Sequence, residues 1–109
     1  MGNIDEKFKA FEMWFLKRKT IWKQKGIFLV AAGLSDVAHQ YWIKVYSENG
    51  LGNIVLYESN GYYWIDFEAV NYNLNLEEAI FCKGNIEFGN EHNLLENEQE
   101  FIKYITRKE

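Results

Sequence analysis

Proline is missing from this chain altogether, cysteine occurs once and histidine twice. The lack of proline leaves no proline-rich linker, and neither a linker nor an internal repeat divides the sequence, which reads as a single α+β domain over residues 1–109. A lone cysteine, Cys82, excludes an internal disulfide and gives no sign of an oxidising compartment. Long apolar runs are absent too. The longest uncharged stretch, Gly26 to Ser35, is too short to span a bilayer and holds two glycines, so no membrane span is expected. The first residues lack an apolar stretch of signal-peptide length, and Glu6 stands where a myristoylation motif beginning at Gly2 needs Ser or Thr. A cytoplasmic location is the expectation.

Positive charge is scarce in one region in particular. Between Glu48 and Glu100 there are eleven carboxylates and a single basic residue, Lys83. Residues 1–26 hold seven Lys/Arg against three Asp/Glu, a net of +4, while residues 27–109 hold five against thirteen, a net of -8. An acidic body of this kind repels nucleic acid and anionic membrane, so neither is an expected partner. The basic cluster Lys17, Arg18, Lys19, Lys23 and Lys25 reads as the solvated end of a helix, where positive charge complements the dipole.

What is abundant is aromatic surface. Aromatic residues make up 17% of the chain and hydrophobic residues 48%, which excludes disorder by composition. Ile4, Phe8, Phe11, Phe15 and Trp22 share one helical stripe behind an Asn3/Glu6 capping box, predicting a helix from about Ile4 to Lys25 that stops at Gly26. Ile27 to Ala32 is ambiguous between a strand and buried irregular chain. His39 to Ser47 alternates with period 2, Glu48 to Gly52 is turn chemistry, and Asn53 to Glu58 is the next strand. Asn60-Gly61 marks a type I′ hairpin leading into a strand from Gly61 to Val70. After a polar loop from Tyr72 to Glu78, Ala79 to Phe88 is a further strand with Ile80, Cys82, Ile86 and Phe88 on one face and a bulge or bend at Gly84. An N-cap at Asn93 opens the last helix, whose stripe is Leu94, Leu95, Phe101, Ile102 and Ile105, with Glu96, Glu98, Glu100, Lys103 and Lys108 in water. The fold expected is an N-terminal helix, an antiparallel meander of four to five strands, and a C-terminal helix packed on the sheet.

Catalytic signatures do not emerge. Gly50-Leu-Gly52 lacks the spacing of a phosphate loop and precedes a strand, and there is no nucleophile elbow or zinc pattern. Asp66 and Glu68 stand two apart on one strand face, as a metal pair would, but no third ligand is set by spacing; His39 and His92 read as surface or capping residues. Cys82, set in an apolar alternation, reads as a small core residue and not a nucleophile. No enzyme, cofactor or metal is therefore expected.

The second face of the meander carries Trp42, Tyr46, Tyr62 and Trp64 beside Lys44, Asp66 and Glu68. Two arrangements compete: cover by the aromatic first helix, which is favoured, or an amphipathic docking surface. On the second, Glu58, Tyr62, Trp64, Asp66 and Glu68 are the candidate contacts for a basic protein partner. Gly52-Asn-Ile-Val-Leu-Tyr-Glu-Ser-Asn-Gly61, running into Trp64-Ile-Asp-Phe-Glu68, and the terminal Leu94-Leu-Glu-Asn-Glu-Gln-Glu-Phe-Ile-Lys-Tyr-Ile105 resemble small bacterial immunity proteins of polymorphic toxin systems. The resemblance implies a cytoplasmic antidote that binds a toxin domain and blocks it. Alternatives of other classes are a small-ligand-binding or enzymatic domain with a pocket lined by Trp14, Trp42 and Trp64, and a structural homodimer built through the open sheet face.

Overall fold

The computed structural model describes residues 6–35, 37 and 39–108. The capping pair's Asn3, and Ile4 of the first stripe, lie outside the described residues. Helix α1 (Glu6–Gln24) buries Phe8, Phe11, Phe15 and Trp22, the residues its 3.6-residue period puts on one side. It ends as the sequence predicts. Gly26 takes a φ of 86°, its amide donates to the Lys23 carbonyl and that of Ile27 reaches back to Trp22, the paired bonds of a Schellman stop.

Five antiparallel strands follow in the order of the chain: β1 (Phe28–Ser35), β2 (Gln40–Ser47), β3 (Gly50–Ser59), β4 (Tyr62–Asn71) and β5 (Ile80–Glu87). The ambiguous segment after Gly26 is thus an edge strand, irregular where Val30 has no partner between Leu29 and Ala31. Gly50 to Gly52, expected as turn, already pair with β4, which shortens the β2–β3 turn to Glu48 and Asn49. Asn60 and Gly61 both adopt positive φ, 55° and 82°, as a type I′ hairpin demands.

Strand β5 departs from expectation at its bulge. Phe67 pairs with Lys83 and Ile65 with Ile86, so two residues, Gly84 and Asn85, oppose Asp66 alone. The extra residue reverses the facing of everything after it. Before the bulge Phe81 turns towards the core and Cys82 away from it; after the bulge Ile86 and Phe88 turn inward. Ile80, Cys82, Ile86 and Phe88 therefore do not share a face, and Cys82 is exposed instead of buried.

Helix α2 (Glu91–Thr106) begins a turn earlier than Asn93 would place it. Asn90 is the N-cap, its side chain accepting from the Asn93 amide. Leu94, Phe101, Ile102 and Ile105 are buried, Leu95 is largely exposed, and Glu98, expected in water, is fully buried. No glycine ends this helix. Its last carbonyls are satisfied from the sheet bends instead: Asn71 Nδ2 donates to Tyr104 and Arg107, Asn49 Nδ2 to Thr106, and Ser47 Oγ to Ile105.

Both helices lie on the same side of the sheet. Helix α1 crosses β1 and β2 while α2 lies mainly on β4 and β5, and together they cover Tyr41, Ile43, Val45, Ile54, Leu56, Ile65, Phe67, Ala69 and Ile86. The arrangement is an α+β fold with the C-terminal helix packed on the sheet. Helix α1 does not cover the second face, contrary to the arrangement the aromatic count favoured. Its stripe is consumed by the first face, where Phe11 meets Tyr41 and Phe88 edge-on and Phe8 meets Tyr63.

Candidate binding face of the sheet

Alternation along the five strands decides what the uncovered face presents. The pairing aligns its side chains in rows that run across the sheet. One row is Phe28, Tyr46, Leu51, Val70 and Ile80; the next is Ala31, Lys44, Asn53, Glu68 and Cys82. A third contains Gly33, Trp42, Val55 and Asp66, and a fourth Ser35, Gln40, Tyr57, Trp64 and Glu87. Every member of the first row is more than a third exposed, from Phe28 at 37% to Ile80 at 73%. A continuous apolar row across five strands is not what a solvated sheet face normally carries.

Trp42 packs between Gly33 and Lys44. A Cβ on Gly33 would stand 3.0 Å from the indole, so the glycine makes room for the ring, and the Lys44 ammonium lies 5.7 Å from its centroid. Tyr62 and Trp64 are ring neighbours at 6.1 Å, with Tyr62 60% exposed. A shallow groove of about 570 Å³ runs between the first two rows, walled by Val30, Lys44, Leu51, Glu68, Ile80 and Cys82.

Four of the five sequence-predicted contacts come together here. Tyr62, Trp64, Asp66 and Glu68 line β4 on the open face, but Glu58 pairs with Tyr63 and has the helix-side parity of Ile54 and Leu56. Glu58 therefore belongs to the opposite face. Asp66 is also less free than its exposure suggests: it accepts from the Asn85 amide, and its carboxylate oxygen comes within 2.8 Å of where a Gly84 Cβ would be. It fastens the bulge. Tyr57, which sequence reasoning did not single out, stands beside Trp64 and donates to Asn85 Oδ1 at 3.2 Å; burial, then the Asp66 charge and a hydrogen bond to it, raise its pKa. Leu51 was missed for a different reason, having been read as turn. Period-2 alternation carried back through Gly50 was the signal that would have placed it.

The tryptophan pocket does not form. Trp14 stacks on Phe11 and meets Trp22 on the helix side, while Trp42 and Trp64 face the other way. Among the described residues no three of His, Cys, Asp and Glu converge as metal ligands. The basic end of α1 is not wholly solvated either: Arg18 reaches α2, where its Nε and guanidinium nitrogen donate to the two oxygens of Glu98, each at 2.6 Å, and Trp22 Nε1 adds a third bond at 2.7 Å. This cluster joins the two helices. The carboxylates between Glu48 and Glu100 are accordingly scattered: Asp66, Glu68 and Glu87 on the open face, Glu91, Glu96 and Glu100 on the outside of α2. No helix among the described residues is long and apolar enough to cross a membrane. No protein-family model, curated protein or solved structure matches the chain.

Proposed function

We propose that the protein is a binding module whose uncovered sheet face docks another protein, and that its partner is a basic toxin domain which it neutralises in the manner of an immunity protein. One observation carries this reading: both helices are spent on one side of the sheet, leaving an aromatic and apolar face in water. Interfaces draw on this combination, with Trp and Tyr as anchors and charges at their edges for steering. Trp64 and Tyr62 supply the anchor, and Glu68 with Glu87 supplies negative charge on the same half of the face. The resemblance of residues 52–68 and 94–105 to immunity proteins supplies the class of partner. An immunity protein acts by occupying its toxin, so a docking face without a catalytic constellation suits the role.

The test is copurification of the partner, its identification, and an assay of its activity with and without this chain. A partner that is a toxin domain, suppressed by the parent and released by Trp64→Ala, is the expected result. A partner bound equally well by folded Trp64→Ala and Glu68→Lys variants overturns the assignment of the face.

A further inference from the structure

We propose that, when no other partner is present, the open face is occupied by a second copy of this chain, packed face to face about a two-fold axis that runs along β3. The inference rests on the open face being a docking surface and is independent of the toxin assignment.

The register carries the argument. Lys44 pairs with Asn53 and Asn53 with Glu68, so the two charges flank the central strand at the same height. Two strand spacings, about 9.6 Å, separate their backbones, and among the described residues neither makes an ion pair. A half-turn about an axis above β3 and parallel to it brings a second sheet face to face, exchanges β2 with β4, and keeps every residue at its own height. Lys44 of each copy then stands over Glu68 of the other. One operation pairs both charges twice.

The same operation treats the apolar residues as well as the charges. Leu51 and Val55, on β3, meet their own copies at the axis; Tyr46 falls over Val70, and Phe28 over Ile80. The exposed row thereby becomes the middle of a sandwich, the usual fate of apolar sheet faces held about 10 Å apart. Aligned sheets cross at about 30°, which tilts the axis by half that from β3, a displacement the long Lys44 and Glu68 side chains absorb. Five strands at about 4.8 Å and eight residues at about 3.3 Å give a face of roughly 24 by 26 Å. With side-chain relief this approaches the ~800 Å² per partner that specific interfaces bury. An isologous contact needs a self-complementary patch, and Lys44 and Glu68 placed symmetrically about β3 supply one.

Sedimentation velocity of the purified full chain, over a wide concentration range, tests this directly. The expected result is a reversible dimer weakened by salt. Lys44→Glu and Glu68→Lys each break both symmetry-related pairs and should weaken association at least about tenfold, since like charges are then apposed. The double exchange, Lys44→Glu with Glu68→Lys, should return association to near the parent's. Leu51→Arg, which apposes two arginines at the axis, should give a monomer. Melting curves of all variants, recorded at a concentration low enough that the parent is monomeric, should match the parent, as these side chains lie outside the core. A parent that stays monomeric throughout, single reversals that leave the dimer intact, or a folded double exchange that fails to recover would each overturn the proposal. Because no toxin enters these measurements, failure here leaves the partner assay standing, and failure of that assay leaves the dimer standing.

Discussion

Glu98 ties the two helices together from a buried position on α2. Its carboxylate is 1% exposed, and among the described residues its bonds come from α1, two from Arg18 and one from Trp22. Removing one member of a buried ion pair leaves an uncompensated charge. Arg18→Ala should therefore cost about 3 kcal/mol in urea unfolding, the low end of the range because Arg18 is partly solvated, and Arg18→Lys should fall between, having no fork to match both oxygens. Tyr41 provides a pH signature. Burial, then its hydrogen bond to Glu12 and that carboxylate's charge, raise its pKa from 10.0 to about 12. The folded state prefers the neutral phenol, so this contribution is present below pH 10 and disappears as pH rises towards 12. Tyr41→Phe should lose stability less steeply across that window, with unfolding measured at both ends. At Cys82 the bulge decides the outcome: at concentrations where the chain is monomeric, a thiol reagent should label the native protein at a rate close to that of the unfolded chain, and Cys82→Ala should change stability by under ~0.5 kcal/mol.

Elements were legible in the sequence wherever local chemistry determined them. The Asn60-Gly61 turn, the Gly26 stop and the alternation of β2 and β4 all follow from φ preferences or a period of 2, and the structure agrees at each. Strand β5 was misread because a bulge changes facing without changing composition: Gly84 marked the irregularity, but only the pairing of Asp66 against two residues shows where the inserted residue lies. Glu98 was misread because helical periodicity places it beside Phe101 and Ile102 while its charge argues for water; a partner eighty residues away settles the conflict. The approach of α2 to the sheet was equally hidden. A Cβ on Gly52 would come within 2.6 Å of the Phe101 ring, so this glycine sets how closely the helix packs. Gly52→Ala should destabilise by about 1–3 kcal/mol as overpacking does, and Phe101→Leu in that background should recover part of the loss, read from the urea midpoint.

At the scale of the whole molecule the question is which side of the sheet a charge belongs to, and composition is silent on it. Counting carboxylates between Glu48 and Glu100 suggested one acidic surface; the fold divides them between two faces and a helix, putting Glu58 and Glu68 on opposite faces of the same sheet. The aromatic content of α1 suggested that it covers Trp42 and Trp64, but two helices cannot shield both faces when both are needed over Ile43, Ile65 and Phe67. This division yields a control that a purely electrostatic account lacks. Glu58→Lys and Glu68→Lys change the net charge equally, and both side chains are exposed, so long-range attraction to a basic partner falls by a similar amount for each. Contact with the partner is a different matter. If docking uses the open face, Glu68→Lys should slow association and speed dissociation, whereas Glu58→Lys should only slow association, and at high salt should bind like the parent once long-range steering is screened. Surface plasmon resonance at two salt concentrations separates these outcomes. Equal behaviour of the two variants at high salt would place the partner somewhere other than on this face.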